Sequence, residues 1–211
     1  MLFRSVANGQ TNNVSILINN GSGAFASAIN YGVGMNPWSV FAADFNGDAH
    51  LDLAIANIMS NTVSILENQG NGTFASAVDY GVGSYPRSIF AVDFDGDGHQ
   101  DLAVANTSSN SVSILENNGN GTFSGADDYG TGIEPWSIFA ADLDGDGDND
   151  LATANVGSDN VSILFNRSVP NAAPIPIFLV YGLGDNADSW DTMETWLEAN
   201  GHQHEIGRAH V

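Results

Sequence analysis

Short apolar runs alternate with polar residues along this chain, and the whole pattern returns every 49 residues. Val14-Ser-Ile-Leu17 recurs as Val63-Ser-Ile-Leu66, Val112-Ser-Ile-Leu115 and Val161-Ser-Ile-Leu164. Tyr31, Tyr80 and Tyr129 keep the same step, as do Pro37, Pro86 and Pro135. Side chains on a strand alternate faces with a period of two, so each alternating run predicts a strand. In one period, Ser88 to Phe94 predicts an inner strand, Asp101 to Asn106 a second and Ser111 to Asn117 a third. Asn117-Asn-Gly-Asn-Gly121 is a strong turn signal, and Phe123 to Tyr129 predicts a weaker fourth strand.

Four strands in a fixed period of this length predict the blade of a β-propeller. A sandwich needs no rigid period, and a β-helix repeats over far fewer residues. The fold class is therefore all-β: propeller blades of four antiparallel strands, forming an incomplete propeller of about three and a half blades, with a short C-terminal β-α tail. The first copy begins after the point where its inner strand would lie, and the last is expected to end near Asn166 without a fourth strand. Blades occupy residues 1–168, and Pro170, Pro174 and Pro176 make 169–176 a stiff Pro-rich linker. Residues 177–211 then predict a strand from Ile177 running into a Gly turn, and a helix from Ser189 to Asn200 closed by Gly201.

Between the first and second strands of three copies lies a loop rich in Asp and Gly. The loops run Asp44 to Asp52, Asp93 to Asp101 and Asp142 to Asp150, with oxygen-bearing side chains at positions 1, 3, 5 and 9. Calcium takes six to eight oxygens, and alternate carboxylates on a tight Gly-containing loop converge while a backbone carbonyl at position 7 adds another ligand. The candidate ligands are Asp44, Asn46, Asp48, Asp52 and the backbone of His50 in the first loop, and Asp93, Asp95, Asp97, Asp101 and the backbone of His99 in the second. In the third they are Asp142, Asp144, Asp146, Asp150 and the backbone of Asp148. Up to three structural Ca²⁺ ions are expected. The imidazoles of His50 and His99 are expected to face solvent.

An EF-hand shares positions 1, 3, 5 and 6, but needs Glu at position 12, where this chain has Ile55, Val104 and Thr153. Two carboxylates about 4 Å apart repel by roughly 4 kcal/mol at an effective dielectric near 20, so such clusters call for a cation. The first loop, with Asn46 and Ala49 where the third has Asp144 and Gly147, is expected to bind most weakly. No His, Ser or Glu recurs beside the loops as a base or nucleophile, so no catalytic residue and no organic cofactor site is assigned.

The loop followed by Leu-Ala-x-Ala-Asn, with Phe-Ala-x-Asp-Phe upstream, resembles the FG-GAP/VCBS repeat of integrin-α-like propellers over residues 1–168. That resemblance implies calcium loops joining the first two strands of each blade, in secreted or cell-surface proteins used for adhesion or for contact with proteins or carbohydrates. The stretch from Ile177 to Asp185 resembles the opening of an α/β-hydrolase domain, with Tyr181 in place of the His of the oxyanion loop. The alternative function is therefore an accessory propeller of a secreted esterase- or lipase-like hydrolase. No Gly-x-Ser-x-Gly elbow is present, so this chain cannot hydrolyse by that mechanism.

Composition narrows the partners. Twenty-five acidic residues against four basic ones give a formal charge of −21, which three bound Ca²⁺ would reduce to −15. Nucleic acid and anionic membranes are poor partners for a surface with that field, and neither is expected. No apolar run is long enough to span a bilayer, and Met1 to Val6 shows no signal peptide. Cysteine is absent, which removes disulfides and thiolate metal sites. Asn71-Gly-Thr73 and Asn120-Gly-Thr122 read as turns rather than glycan acceptors. Trp38, Tyr85 and Trp136 are read as one repeat position before the inner strand, packing between blades. Self-association through open propeller edges is a further expectation.

Overall fold

The structure, a computed structural model, describes residues 3–166 and the backbone of 177–181. The chain divides into two compact units, Met1–Val180 and Tyr181–Val211. The strands belong to the first unit, apart from Tyr181, the terminal residue of the last strand.

Among the described residues every regular element is a strand. The first sheet holds β1 (Phe3–Asn8), β2 (Asn13–Ile18) and β3 (Ile29–Gly32). The second holds β4 (Pro37–Ala43), β5 (Asp52–Asn57), β6 (Thr62–Leu66) and β7 (Val78–Gly81). The third is β8 (Pro86–Val92), β9 (Asp101–Asn106), β10 (Ser111–Leu115) and β11 (Asp127–Gly130). The fourth is β12 (Pro135–Ala141), β13 (Asp150–Asn155), β14 (Asn160–Leu164) and β15 (Ile177–Tyr181). Each sheet is an antiparallel meander in chain order, and together they form propeller blades that do not close into a ring.

β1 occupies the register of β5 and β9, so the first sheet lacks an inner strand, as the repeat implied. The fourth sheet corrects the expectation that the last copy stops at three strands. Its outer place is taken by β15, which starts at the position 49 residues beyond β11's second residue. The apolar run from Ile177 to Tyr181 covers the backbone donors and acceptors that β14 would otherwise leave open. The linker 169–176, and the Gly turn and helix on which the hydrolase resemblance also rests, lie outside the described residues.

Burial on both faces explains the sequence of the second strand. β5 and β9 are buried along their whole length. Leu53 and Ile55 pack toward the first sheet with Val14, Ile16 and Phe74. Ala54 and Ala56, on the other face, meet Ile89, Leu102, Val104 and Phe123 of the third sheet. Large branched residues of one sheet thus lie on small ones of its neighbour, and each buried Leu or Ile contributes about 1.5–3 kcal/mol. Ala103 and Ala105 repeat the arrangement against Ile138, Leu151 and Leu164.

The inner strands begin with a bulge at Pro37, Pro86 and Pro135, where a residue without an N–H costs no ladder bond. The residue after each proline stands opposite no partner. Here the register corrects the sequence reading, because the residue equivalent to Trp38 and Trp136 is Arg87, not Tyr85. The Arg87 guanidinium carbon lies 5.0 Å from the Trp38 ring centre, 5.2 Å from Tyr85 and 4.1 Å from Trp136. The aromatics do bridge neighbouring blades, through a shared cation. Asn71 and Asn120 accept the backbone N–H of Thr73 and Thr122, so the two candidate sequons are side-chain-closed turns.

Candidate metal centre

Each Asp/Gly loop leaves the end of an inner strand and returns as the second strand. The Gly residues at positions 4 and 6 of the second loop, Gly96 and Gly98, have φ of +80° and +90°, which coils the loop tightly. Asp93 sits at its centre: one carboxylate oxygen accepts the Gly96 N–H at 2.7 Å and the other the Gly98 N–H at 2.9 Å. Asp142 does the same for Gly145 and Gly147, and Asp44 for Gly47 and Ala49. Position 3 caps position 5 and position 5 caps position 7, through Asp95 to Asp97 N–H and Asp97 to His99 N–H.

The carboxylates converge as a hard cation requires. Asp93, Asp95 and Asp101 each offer an oxygen within 4.8 Å of the others, and so do Asp142, Asp144 and Asp146. Position 9 plays a second part. Asp101 is fully buried and accepts the Phe94 N–H at 2.9 Å on one oxygen and the Asn117 N–H at 2.8 Å on the other. Asp52 and Asp150 are held alike, by Phe45 and Asn68 and by Leu143 and Asn166. Burial pushes all three carboxyls above the usual range, against the pull of those two N–H groups, and the neighbouring loop carboxylates push them further.

This set fits calcium. The side-chain donors in the second and third loops are carboxylates, their charge is concentrated, and lone pairs not used by backbone N–H groups remain. A Ca²⁺ held there would supply charge neutralisation and cross-link positions 1, 3, 5 and 9.

The first loop departs from this set. Asn46 turns its amide N–H to the Asp48 carboxylate at 3.3 Å, and Ala49 is forced to φ +66° where the other loops have Gly. No carboxylate triad forms in it. The backbone N–H of His50 holds the Asp48 carboxyl below its usual value. The His50 imidazole, expected simply to face solvent, approaches the Asp48 carbonyl at 3.0 Å and lies over Gly70, where a Cβ would fall 2.7 Å from Nε2. His99 rests on Gly119 in the same way.

Sequence reasoning missed one component. Asn117 Nδ2 donates to the Gln100 carbonyl of its own loop at 3.0 Å and to the Phe45 carbonyl of the preceding blade's loop at 2.9 Å. Gly121 N–H donates to the same Phe45 carbonyl, and Asn166 Nδ2 reaches the Phe94 carbonyl at 2.6 Å. Each of these two loops is thereby tied to the turn of the next blade. The signal was present, since Asn19, Asn68, Asn117 and Asn166 keep the 49-residue step, but it read as turn chemistry.

A family model described as the FG-GAP-like repeat matches residues 5–55, 44–104 and 93–153. Solved structures similar to this chain include a functionally unknown protein from Desulfotomaculum acetoxidans DSM 771, at TM-score 0.59 and 18% identity over 82% of this chain and 56% of that one. BBS1N, crystallised with ARL6DN, is similar at TM-score 0.60 and 14% identity over 86% and 52%. The V. cholerae biofilm matrix protein Bap1 is similar at TM-score 0.50 and 18% identity over 78% and 24%. The chain spans about half the length of the first two and a quarter of the third. At these identities the likeness establishes the fold alone. No curated protein matches the sequence.

Proposed function

Because the chain belongs to the FG-GAP-like repeat family, we propose that it is a calcium-stabilised, non-catalytic propeller module that presents its surface to protein or carbohydrate partners outside the cell. The observation that carries the calcium reading is the pair of carboxylate triads, Asp93, Asp95, Asp101 and Asp142, Asp144, Asp146, in loops whose backbone is already coiled around position 1. The position-9 carboxylates and the Asn clamps support a structural role, because ordering a loop also orders the contact with the next blade.

No nucleophile–base pair stands beside these loops among the described residues, and their carboxylates are engaged by backbone N–H groups, which supports holding rather than reacting. Repeats of this family are typical of extracellular and surface proteins, and a biofilm matrix protein shares the fold. No helix among the described residues is long and apolar enough to cross a membrane.

Terbium, which replaces calcium and luminesces when excited through nearby aromatic rings, gives the test. Titration of the intact chain should show sites displaced by Ca²⁺. Asp93→Asn and Asp142→Asn should each remove one strong site, and Asp44→Asn only a weak one. Terbium emission unchanged by both of the first two substitutions would contradict the assignment.

A further inference from the structure

In the second and third blades the turn after the third strand ends in a phenylalanine that plugs the preceding blade. Phe123 bridges to Asn117 and inserts between Phe45 at 5.4 Å and Tyr80 at 5.5 Å, ring edge to ring face. Its backbone N–H donates to the Tyr80 hydroxyl at 3.2 Å. Phe74 makes the same contact with Tyr31, ring to ring at 5.6 Å and N–H to hydroxyl at 3.2 Å. At the next blade the position in this register is held by Ala172.

The socket is nevertheless intact. Between the third and fourth sheets lies a cavity of about 280 Å³ lined by Phe94, Ile114, Glu116, Tyr129, Leu151 and Leu164. Shifted by one repeat, these are Phe45, Ile65, Glu67, Tyr80, Leu102 and Leu115, the same six residue types around the site that Phe123 fills. Among the described residues Phe94 has no ring partner and the Tyr129 hydroxyl no hydrogen bond. An apolar cavity of roughly half this volume already accepts a benzene ring.

We infer that this cavity is a binding site for a phenylalanine side chain of a partner polypeptide, whose backbone N–H donates to the Tyr129 hydroxyl. The two filled interfaces specify that ligand: a phenyl ring set edge-on between Phe94 and Tyr129, on an extended segment. The site continues the established interface between the third and fourth sheets outward. Glu116 and Asp95 in its lining favour a segment without acidic residues. The site borders the second metal loop, with which it shares Asp95, but the argument for it does not rest on the metal-binding reading.

The probe is the octapeptide Asn-Asn-Gly-Asn-Gly-Thr-Phe-Ser, the sequence of residues 117–124, with blocked ends, titrated into the full chain while NMR follows Tyr129 and Phe94. Ring-current shifts at both residues are expected. The Phe→Ala peptide should bind at least tenfold more weakly, and Tyr129→Phe, which keeps the ring, should weaken binding about three- to tenfold for one lost hydrogen bond. Ile114→Trp, which fills the cavity, should abolish it. No shift at peptide excess, equal binding of the Ala peptide, or cross-peaks in the free chain joining Phe94 and Tyr129 to protons of residues 167–176 would each overturn the inference, the last by making this chain its own occupant.

Discussion

Single residues decide how well each loop holds its shape. Ala49 adopts a left-handed backbone that L side chains avoid, while Gly98 and Gly147 take it freely. Ala49→Gly should therefore stabilise the chain by about 1 kcal/mol, less the entropy that Gly adds to the unfolded state. Combined with Asn46→Asp, it should give the first loop a calcium affinity like that of the other two, measured by calorimetric titration. At the other end of the inner strand, Gly83 lies under the Asn106 side chain, and a Cβ there would fall 2.5 Å from Nδ2. Asn106 Nδ2 also donates to Ser113 Oγ at 2.8 Å inside the core, so it has no room to retreat. Gly83→Ala should cost about 1–3 kcal/mol in urea unfolding. Gly81, where an added methyl group would meet nothing within 4 Å, should tolerate the same change.

At the scale of elements, the meander, the loops and their spacing were legible because a rigid period exposes each strand several times over. Three things were hidden for physical reasons. β15 ends on the Tyr181-Gly182 pair of its counterparts, but three residues out of the 49-residue register, so its place in the fourth sheet followed only from the open edge beside it. Arg87 is hidden in the sequence because a cation stands where the other copies carry Trp, while Tyr85 offers an aromatic ring two residues out of register. The Asn clamps carry no chemistry that separates them from ordinary turn residues until the preceding blade is in place. Asn117→Ala removes donors to both Phe45 and Gln100 carbonyls inside a blade interface. It should cost about 1–3 kcal/mol. It should also reduce the stabilisation that calcium gives, a coupling that chemical unfolding with and without the ion would measure.

For the whole molecule, stability comes from blades stacked in series, each burying the face its neighbour leaves open. The outer faces of the first and fourth sheets show what burial elsewhere conceals, with Phe25 44% and Phe139 55% exposed. Faces of this kind associate, so self-association is expected to rise with concentration in light scattering, and Phe139→Asp should reduce it. The acidic charge works in the opposite direction until it is neutralised. A metal bound as proposed would act within the loop and beyond it, by removing repulsion among the carboxylates and ordering the contact between blades.

The most direct measurement is the thermal unfolding of the full chain in EDTA and across a calcium titration. Binding at one hundred times Kd adds about 2.7 kcal/mol per site, so a melting temperature that climbs with calcium, and climbs less in the double variant Asp93→Asn, Asp142→Asn, is expected. A cooperative transition at one temperature throughout, with EDTA and millimolar calcium indistinguishable, would contradict the assignment of the loops as structural metal sites.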